Sequence, residues 1–151
     1  MPIRNARHED IPQLVELLAE LFALEPDFSF HPEVHAAGLQ LLLGNPRSSI
    51  LVFCGEDQPS LLGMVTLQPH ISTGFGCKDA ILEDLVVTRN YRGKGLGKQL
   101  LVQAELEARK LGFQRMRLAA DSSNAPALEF YQKHGWNQGR MISFYRDLRQ
   151  Y

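Results

Sequence analysis

The sequence predicts an α/β fold in the broad sense (α+β): a mixed, mostly antiparallel twisted sheet with about four helices on its two faces. Three observations lead there. Short apolar runs at 49–54 and 61–68 are separated by turn residues, the pattern of a hairpin. Further apolar runs alternate with helical periods, the pattern of crossovers that lay helices on a sheet. The chain of 151 residues, 44% apolar and 22% charged, is long enough to bury a core as a single domain, 1–151.

Taken in order, Ile3 to Ala6 is short enough for an edge strand. Asp10 with Gln13 three residues on is a capping-box pattern, and Pro12 falls in the first helical turn, where no N–H is missed. Ile11, Leu14, Val15, Leu18, Leu21 and Phe22 then keep helical period, which predicts a helix over roughly 11–24. Residues 25–32 break it with two prolines; Phe28 and Phe30 there either cover the core edge or line a substrate mouth. A second helix begins about Pro32, runs through Leu43 and ends at Gly44-Asn45-Pro46. Ser49–Cys54 and Leu61–Gln68 read as strands joined at 55–60, with Gly63 marking a bulge or a close backbone approach. His70 to Asp79 reads as an irregular loop and Ala80 to Thr88 as a buried central strand. After three glycines, Leu100, Leu101, Ala104, Ala108 and Leu111 keep helical period, and Gly112 caps the end. Arg115–Ala120 is a strand, Asp121–Asn124 offers N-cap residues, and a fourth helix runs Ala127 to His134. A last strand is expected at about Met141 to Leu148.

Composition excludes several function classes. The formal charge of −1 provides no basic field for nucleic acid. No apolar run approaches the ~20 residues of a membrane span, and the first residues lack the apolar segment of a signal peptide. Cys54 and Cys77 have no metal-ligand spacing and read as reduced thiols, so the expected location is cytoplasmic. His31, His35, His70 and His134 are spread out, and no metal is expected.

The chemistry concentrates in Glu83 to Lys98. Gly93, Gly95 and Gly97 lie between an apolar strand and an amphipathic helix, with Arg92, Lys94 and Lys98 adding charge. Glycine lets backbone N–H groups approach a ligand, and the helix dipole favours an anion there, so phosphate or pyrophosphate is the natural ligand. A P-loop needs Ser or Thr after Gly-Lys, and neither Gly93-Lys94 nor Gly97-Lys98 has it. A dinucleotide fingerprint needs a third glycine at 98 or 100, which hold Lys98 and Leu100, although Asp121 stands where a ribose-binding acid would. A helix start that binds nothing is the remaining alternative, against the cost of three glycines.

Arg92, Gly95 and Gly97 match Arg/Gln-x-x-Gly-x-Gly/Ala, which resembles the acetyl-CoA loop of the GCN5-related N-acetyltransferase (GNAT) superfamily. Asn124-x-x-Ala127-x-x-Phe130-Tyr131-x-Lys133-x-Gly135-Trp136 resembles its second signature, and the element order matches along most of the chain. The resemblance implies a sheet of six to seven strands and acetyl-CoA as co-substrate. It implies that backbone groups of Arg92, Gly93, Lys94, Gly95, Leu96, Gly97 and Lys98 hold the pyrophosphate. Leu85, Val86 and Val87 would pair with the pantetheine arm, Asn124 would bond it, and Tyr131 would sit near the sulfur as general acid. Dimers are common in that superfamily, so a homodimer is part of the expectation.

Acetyl transfer needs a base for the ammonium and an acid for the thiolate. Glu83 and Asp84 interrupt an apolar strand, where a carboxylate is costly unless paired or functional. Alternation sends them to opposite faces unless the strand is bulged. Leu82-Glu83-Asp84-Leu85 resembles the polyamine and diamine acetyltransferases, which implies Glu83 as base and Asp84 as a contact for the acceptor ammonium. Structural carboxylates are the bland alternative, and His70 is a spare base or substrate contact. Phe28, Phe30 and Phe75 could wall an acceptor site, and Glu25, Asp27, Glu33 and Asp79 could give it negative charge. The expected function is direct N-acetylation of a small-molecule primary amine. A protein or peptide N-acetyltransferase and a catalytically silent acyl-CoA-binding module are the alternatives.

Overall fold

A computed structural model of the chain describes residues 2–25, 27–56 and 59–150. Pro26, in the expected loop, and Asp57 and Gln58, in the expected hairpin connection, lie outside the described residues. Backbone contacts divide the chain into two compact units, Met1–Leu118 and Ala119–Tyr151.

The first unit holds a five-stranded sheet whose spatial order follows the sequence. β1 (Ile3–Asn5), β2 (Ser49–Cys54), β3 (Leu61–Ser72) and β4 (Cys77–Val87) are antiparallel neighbours, and β5 (Arg115–Arg117) runs parallel to β4. α1 (Ile11–Phe22) and α2 (Pro32–Leu43) come before β2, and α3 (Leu96–Lys110) is the crossover from β4 to β5. Strand alternation sorts the side chains between two faces. Ile50, Val52, Met64 and Val86 join Leu14, Val15, Leu17 and Leu18 of α1 and Leu39 of α2 in one buried cluster. The opposite face meets α3, whose Leu100, Leu101, Ala104 and Ala108 are buried. Gly63 is what lets α3 sit so close: a Cβ there would lie 2.8 Å from the Val86 carbonyl oxygen and 3.0 Å from Leu100 Cδ1.

Four expectations need correction. Five strands form among the described residues, not six to seven. Met141–Leu148 forms no strand. Its apolar residues fall in doublets, Met141-Ile142 and Phe144-Tyr145, so no single face collects them. Met141, Ile142, Phe144, Tyr145 and Leu148 are all exposed. The expected loop from His70 to Asp79 is instead the end of a long β3–β4 hairpin, paired through Ser72↔Cys77 and reversed with Gly76 at φ 62°. Polar residues mask a strand there because His70, Ser72, Cys77 and Asp79 take its sheltered face, with Ile71 and Lys78 on the exposed one, so the two faces alternate without an apolar pattern. Asp10 makes no side-chain cap on α1. Its carboxylate accepts from Arg4 Nη1 and Nη2 at 2.7 and 3.0 Å and from the Arg7 N–H at 2.7 Å. Gln13 reaches across instead, accepting from the Leu61 N–H and donating to the Pro59 carbonyl. The guanidinium engages both carboxylate oxygens, one hydrogen bond to each.

The second unit contains α4 (Ala125–Lys133). Asn124 caps it, its Oδ1 accepting from the Ala127 N–H at 3.2 Å, and Pro126 falls in the first turn, where no N–H is missed.

Candidate active site

β4 carries the site because its two edges have different lengths of partner. β3 pairs with it along Cys77–Val87, whereas β5 pairs only from Asp79↔Arg115 to Ile81↔Arg117. From Leu82 to Val87 no strand pairs on the β5 side among the described residues. An open edge offers N–H and C=O groups to another extended chain.

Within that stretch the strand is bulged. Met64 pairs with Val86 and Thr66 with Glu83, so Asp84 and Leu85 together oppose Val65. Asp84 absorbs the extra residue at φ 52°, a left-handed conformation that Asp and Asn tolerate best among residues with a Cβ. The strict alternation expected for Glu83 and Asp84 is therefore broken between them. Glu83 is exposed and Asp84 half-buried. Asp84 Oδ2 accepts from Thr66 Oγ1 at 3.3 Å, and Thr66 is fully buried. Burial, then the charge of Glu83, pushes the Asp84 carboxyl up to about 6, opposed by the Thr66 hydrogen bond and helped by Glu25.

Glu25 belongs to the loop after α1, which rings hold in place. Phe28 stacks on Phe22 with centroids 4.9 Å apart, and Phe22 and Phe30 meet His35 of α2 at 4.8 and 5.5 Å. Phe28 and Phe30 remain 54% and 44% exposed, so each keeps a free face.

Beyond Val87 a 3-10 turn, Arg89–Tyr91, leads into the glycines. Gly93 and Gly95 stand at φ 74° and 86°, with open space where a Cβ would be. Gly95 is the N-cap of α3 and no side chain caps that end. The first N–H groups of a helix have no partner within it, and together with the dipole they favour an anion. Leu96 is buried, Gly97 half-buried and Lys98 exposed in the first turn of α3. Lys94 Nζ lies 4.8 Å over the Tyr91 ring. Arg92 folds back: Nε donates to the Val87 carbonyl at 2.8 Å and Nη2 to Glu20 Oε2 at 3.3 Å. Glu20 of α1 also accepts from Thr88 Oγ1 at 2.7 Å and the Arg89 N–H at 2.9 Å. The sequence reading misses Glu20, because its partners are 68 to 72 residues away and no local pattern marks it. Thr66 carries a weak signal, as the polar residue in an apolar strand.

His70 and Phe75 are not grouped with these carboxylates. His70 pairs across the hairpin with Asp79, its Nδ1 3.9 Å from Asp79 Oδ2. Four strand positions separate it from Thr66, about 13 Å at the usual strand rise. Asp79 is fully buried and accepts from Arg115 Nη1 at 3.0 Å, and Arg115 stacks over Phe75 at 3.8 Å. In the second unit, Tyr131 of α4 meets Phe130 at 5.3 Å and Trp136 at 5.9 Å.

A family model described as Acetyltransferase (GNAT) family matches residues 12–136. The aminoalkylphosphonate N-acetyltransferase of Salmonella typhimurium is 30% identical over 91% of this chain and 88% of its own length. The glucosamine 6-phosphate N-acetyltransferase of Trypanosoma brucei brucei is 34% identical over 90% of this chain and 88% of its own. Among solved structures, a Trypanosoma brucei acetyltransferase superposes with a TM-score of 0.72 at 26% identity, covering 97% of this chain and 98% of that one.

Proposed function

The chain belongs to the GNAT acetyltransferase family and is an N-acetyltransferase, and from that premise we propose that it moves an acetyl group from acetyl-CoA directly to the primary amine of a small molecule. The observation that carries this reading is a single strand, β4, with an open edge, a half-buried carboxylate and a left-handed glycine turn at its end. The family match crosses Leu118, which supports treating 1–151 as one catalytic domain.

In this reading the N–H groups from Arg92 to Lys98 hold the pyrophosphate of the co-substrate. The edge at Leu85, Val86 and Val87, where only the Val87 carbonyl is engaged by Arg92 Nε, receives the pantetheine arm, and one N–H there stabilises the charge growing on the thioester oxygen. Asn124 bonds the arm. The acceptor arrives as an ammonium of pKa ~10.4 and must lose a proton before it attacks. Glu83 is the base that the sequence favours. The half-burial of Asp84 and its value of about 6 support Asp84 for that step, with exposed Glu83 drawing the ammonium in. The amine nitrogen then bonds to the carbonyl carbon, the C–S bond breaks, the Tyr131 phenol supplies the thiolate's proton, and the proton that the nitrogen sheds as it becomes an amide restores the phenol by way of solvent. Glu25, Glu83 and Asp84, with the free faces of Phe28 and Phe30, favour a cationic acceptor such as a diamine, a polyamine or an amino acid derivative.

The test is CoA thiol release across a panel of amines, with Asp84→Asn, Glu83→Gln and Tyr131→Phe beside the wild type. Turnover of at least one amine is expected, with kcat lowered roughly 10²-fold or more by loss of the base or of the acid. Binding of acetyl-CoA with no amine turned over would favour a silent binding module. No binding at all would overturn the reading.

A further inference from the structure

We propose that Glu20 is a positioning residue for the glycine turn, holding the backbone that receives the acetyl-CoA pyrophosphate. The inference rests on the acetyl-CoA reading of that turn. Three donors from one short segment converge on its carboxylate: the Thr88 hydroxyl at 2.7 Å, the Arg89 N–H at 2.9 Å and Arg92 Nη2 at 3.3 Å. They bracket the 3-10 turn, Arg89–Tyr91, that joins β4 to Gly93. Arg92 closes the bracket from the other side, since its Nε donates to the Val87 carbonyl at the start of the turn. Hydrogen bonds to an ionised acceptor are the strong ones, and the carboxylate stands on a helix rooted in the core by Leu14, Leu17 and Leu18.

Such a clamp is needed because the next residues are soft. Gly93 and Gly95 have open space around them and take left-handed conformations that glycine leaves readily. Ordering them when the phosphates arrive costs affinity, and a clamp on the preceding turn lowers that cost. The sign of the effect makes the role testable. A carboxylate near a pyrophosphate repels it, so a Glu20 that acted only through its charge would tighten binding when removed. A positioning Glu20 would loosen binding when removed.

The experiment is calorimetric titration of acetyl-CoA into wild type, Glu20→Ala and Glu20→Gln, with urea unfolding of each. Glu20→Ala is expected to weaken acetyl-CoA about tenfold. Glu20→Gln should recover part of this, since its amide oxygen can accept from Arg89 while its NH₂ donates to the Thr88 hydroxyl. With an amine that is turned over, the KM for acetyl-CoA should rise and that for the amine should hold. Should Glu20→Ala fail to fold, a weakened and still stable Glu20→Gln carries the same conclusion. Equal or tighter binding by the variants, or lost stability with unchanged affinity, overturns the proposal while the wild type still binds acetyl-CoA. A wild type that does not bind acetyl-CoA overturns the loop reading itself, and the role of Glu20 with it.

Discussion

Replacing Asp84 by asparagine should separate stability from activity, and the size of the separation should depend on pH. The folded chain raises this carboxyl from 3.8 to about 6. At about 1.36 kcal/mol per pH unit, ionising it in place costs roughly 3 kcal/mol. In the unfolded chain the group ionises near its ordinary value. Below about pH 4 both states hold the proton and the penalty is absent. Between pH 4 and 6 the folded state keeps a proton that the unfolded state has lost, so wild-type stability falls as pH rises. Above 6 the full penalty acts. Asparagine keeps the shape, can bond to Thr66 and tolerates φ 52°, but cannot ionise. Asp84→Asn should therefore exceed wild type in urea unfolding by up to about 3 kcal/mol at pH 7.5, and by under about 1 kcal/mol at pH 4.5. In thiol-release assays wild-type kcat/KM should climb to a plateau above about pH 6, and the variant should lose that acid limb together with roughly 10²-fold in rate. A stability gap equal at the two pH values would refute the burial argument. An acid limb that survives in the variant would move the base to Glu83.

Four further outcomes follow from the same contacts. Gly63→Ala should cost about 2 kcal/mol or more in urea unfolding, because its Cβ would meet a backbone oxygen at 2.8 Å that cannot step aside. Gly95→Ala meets no atom, so its cost is the backbone alone at φ 86°, about 1–2 kcal/mol, while calorimetry should show acetyl-CoA binding weakened by more. Asp79→Asn leaves Arg115 without its counter-charge and should lose about 2 kcal/mol, with acetyl-CoA affinity unchanged; His70→Ala should leave kcat within about twofold.

Much of the first unit is legible locally. Helical period places α1, α2 and α3, and the proline and glycine punctuation places their ends to within a few residues. Gly63 reads as a bulge or a close approach, and the structure shows the close approach; residues 121–124 read as N-cap candidates, and Asn124 is the one that caps. The failures are of another kind. Capping by Asp10 is locally sound, yet the Arg4 guanidinium competes for that carboxylate. Met141–Leu148 has strand-forming residues, but a strand exists only where a ladder and one apolar face receive it. His70 looks like a loop histidine until its register opposite Asp79 is known.

The chain by itself determines the family, the left-handed glycine turn and the pair of carboxylates on the strand before it. These depend on residue type and short spacing, because conformational freedom at glycine, helical period and the helix-end N–H groups are all local properties. Tertiary structure alone decides which carboxylate is withdrawn from water. Glu83 and Asp84 are adjacent and chemically alike, and they differ only through a bulge whose partner strand is Val65–Thr66, through burial, and through Glu25 arriving from another loop. The reach of Glu20 to Thr88, Arg89 and Arg92 belongs to the same class. Desolvation and charge act through space, and the residues that supply them are far away along the chain.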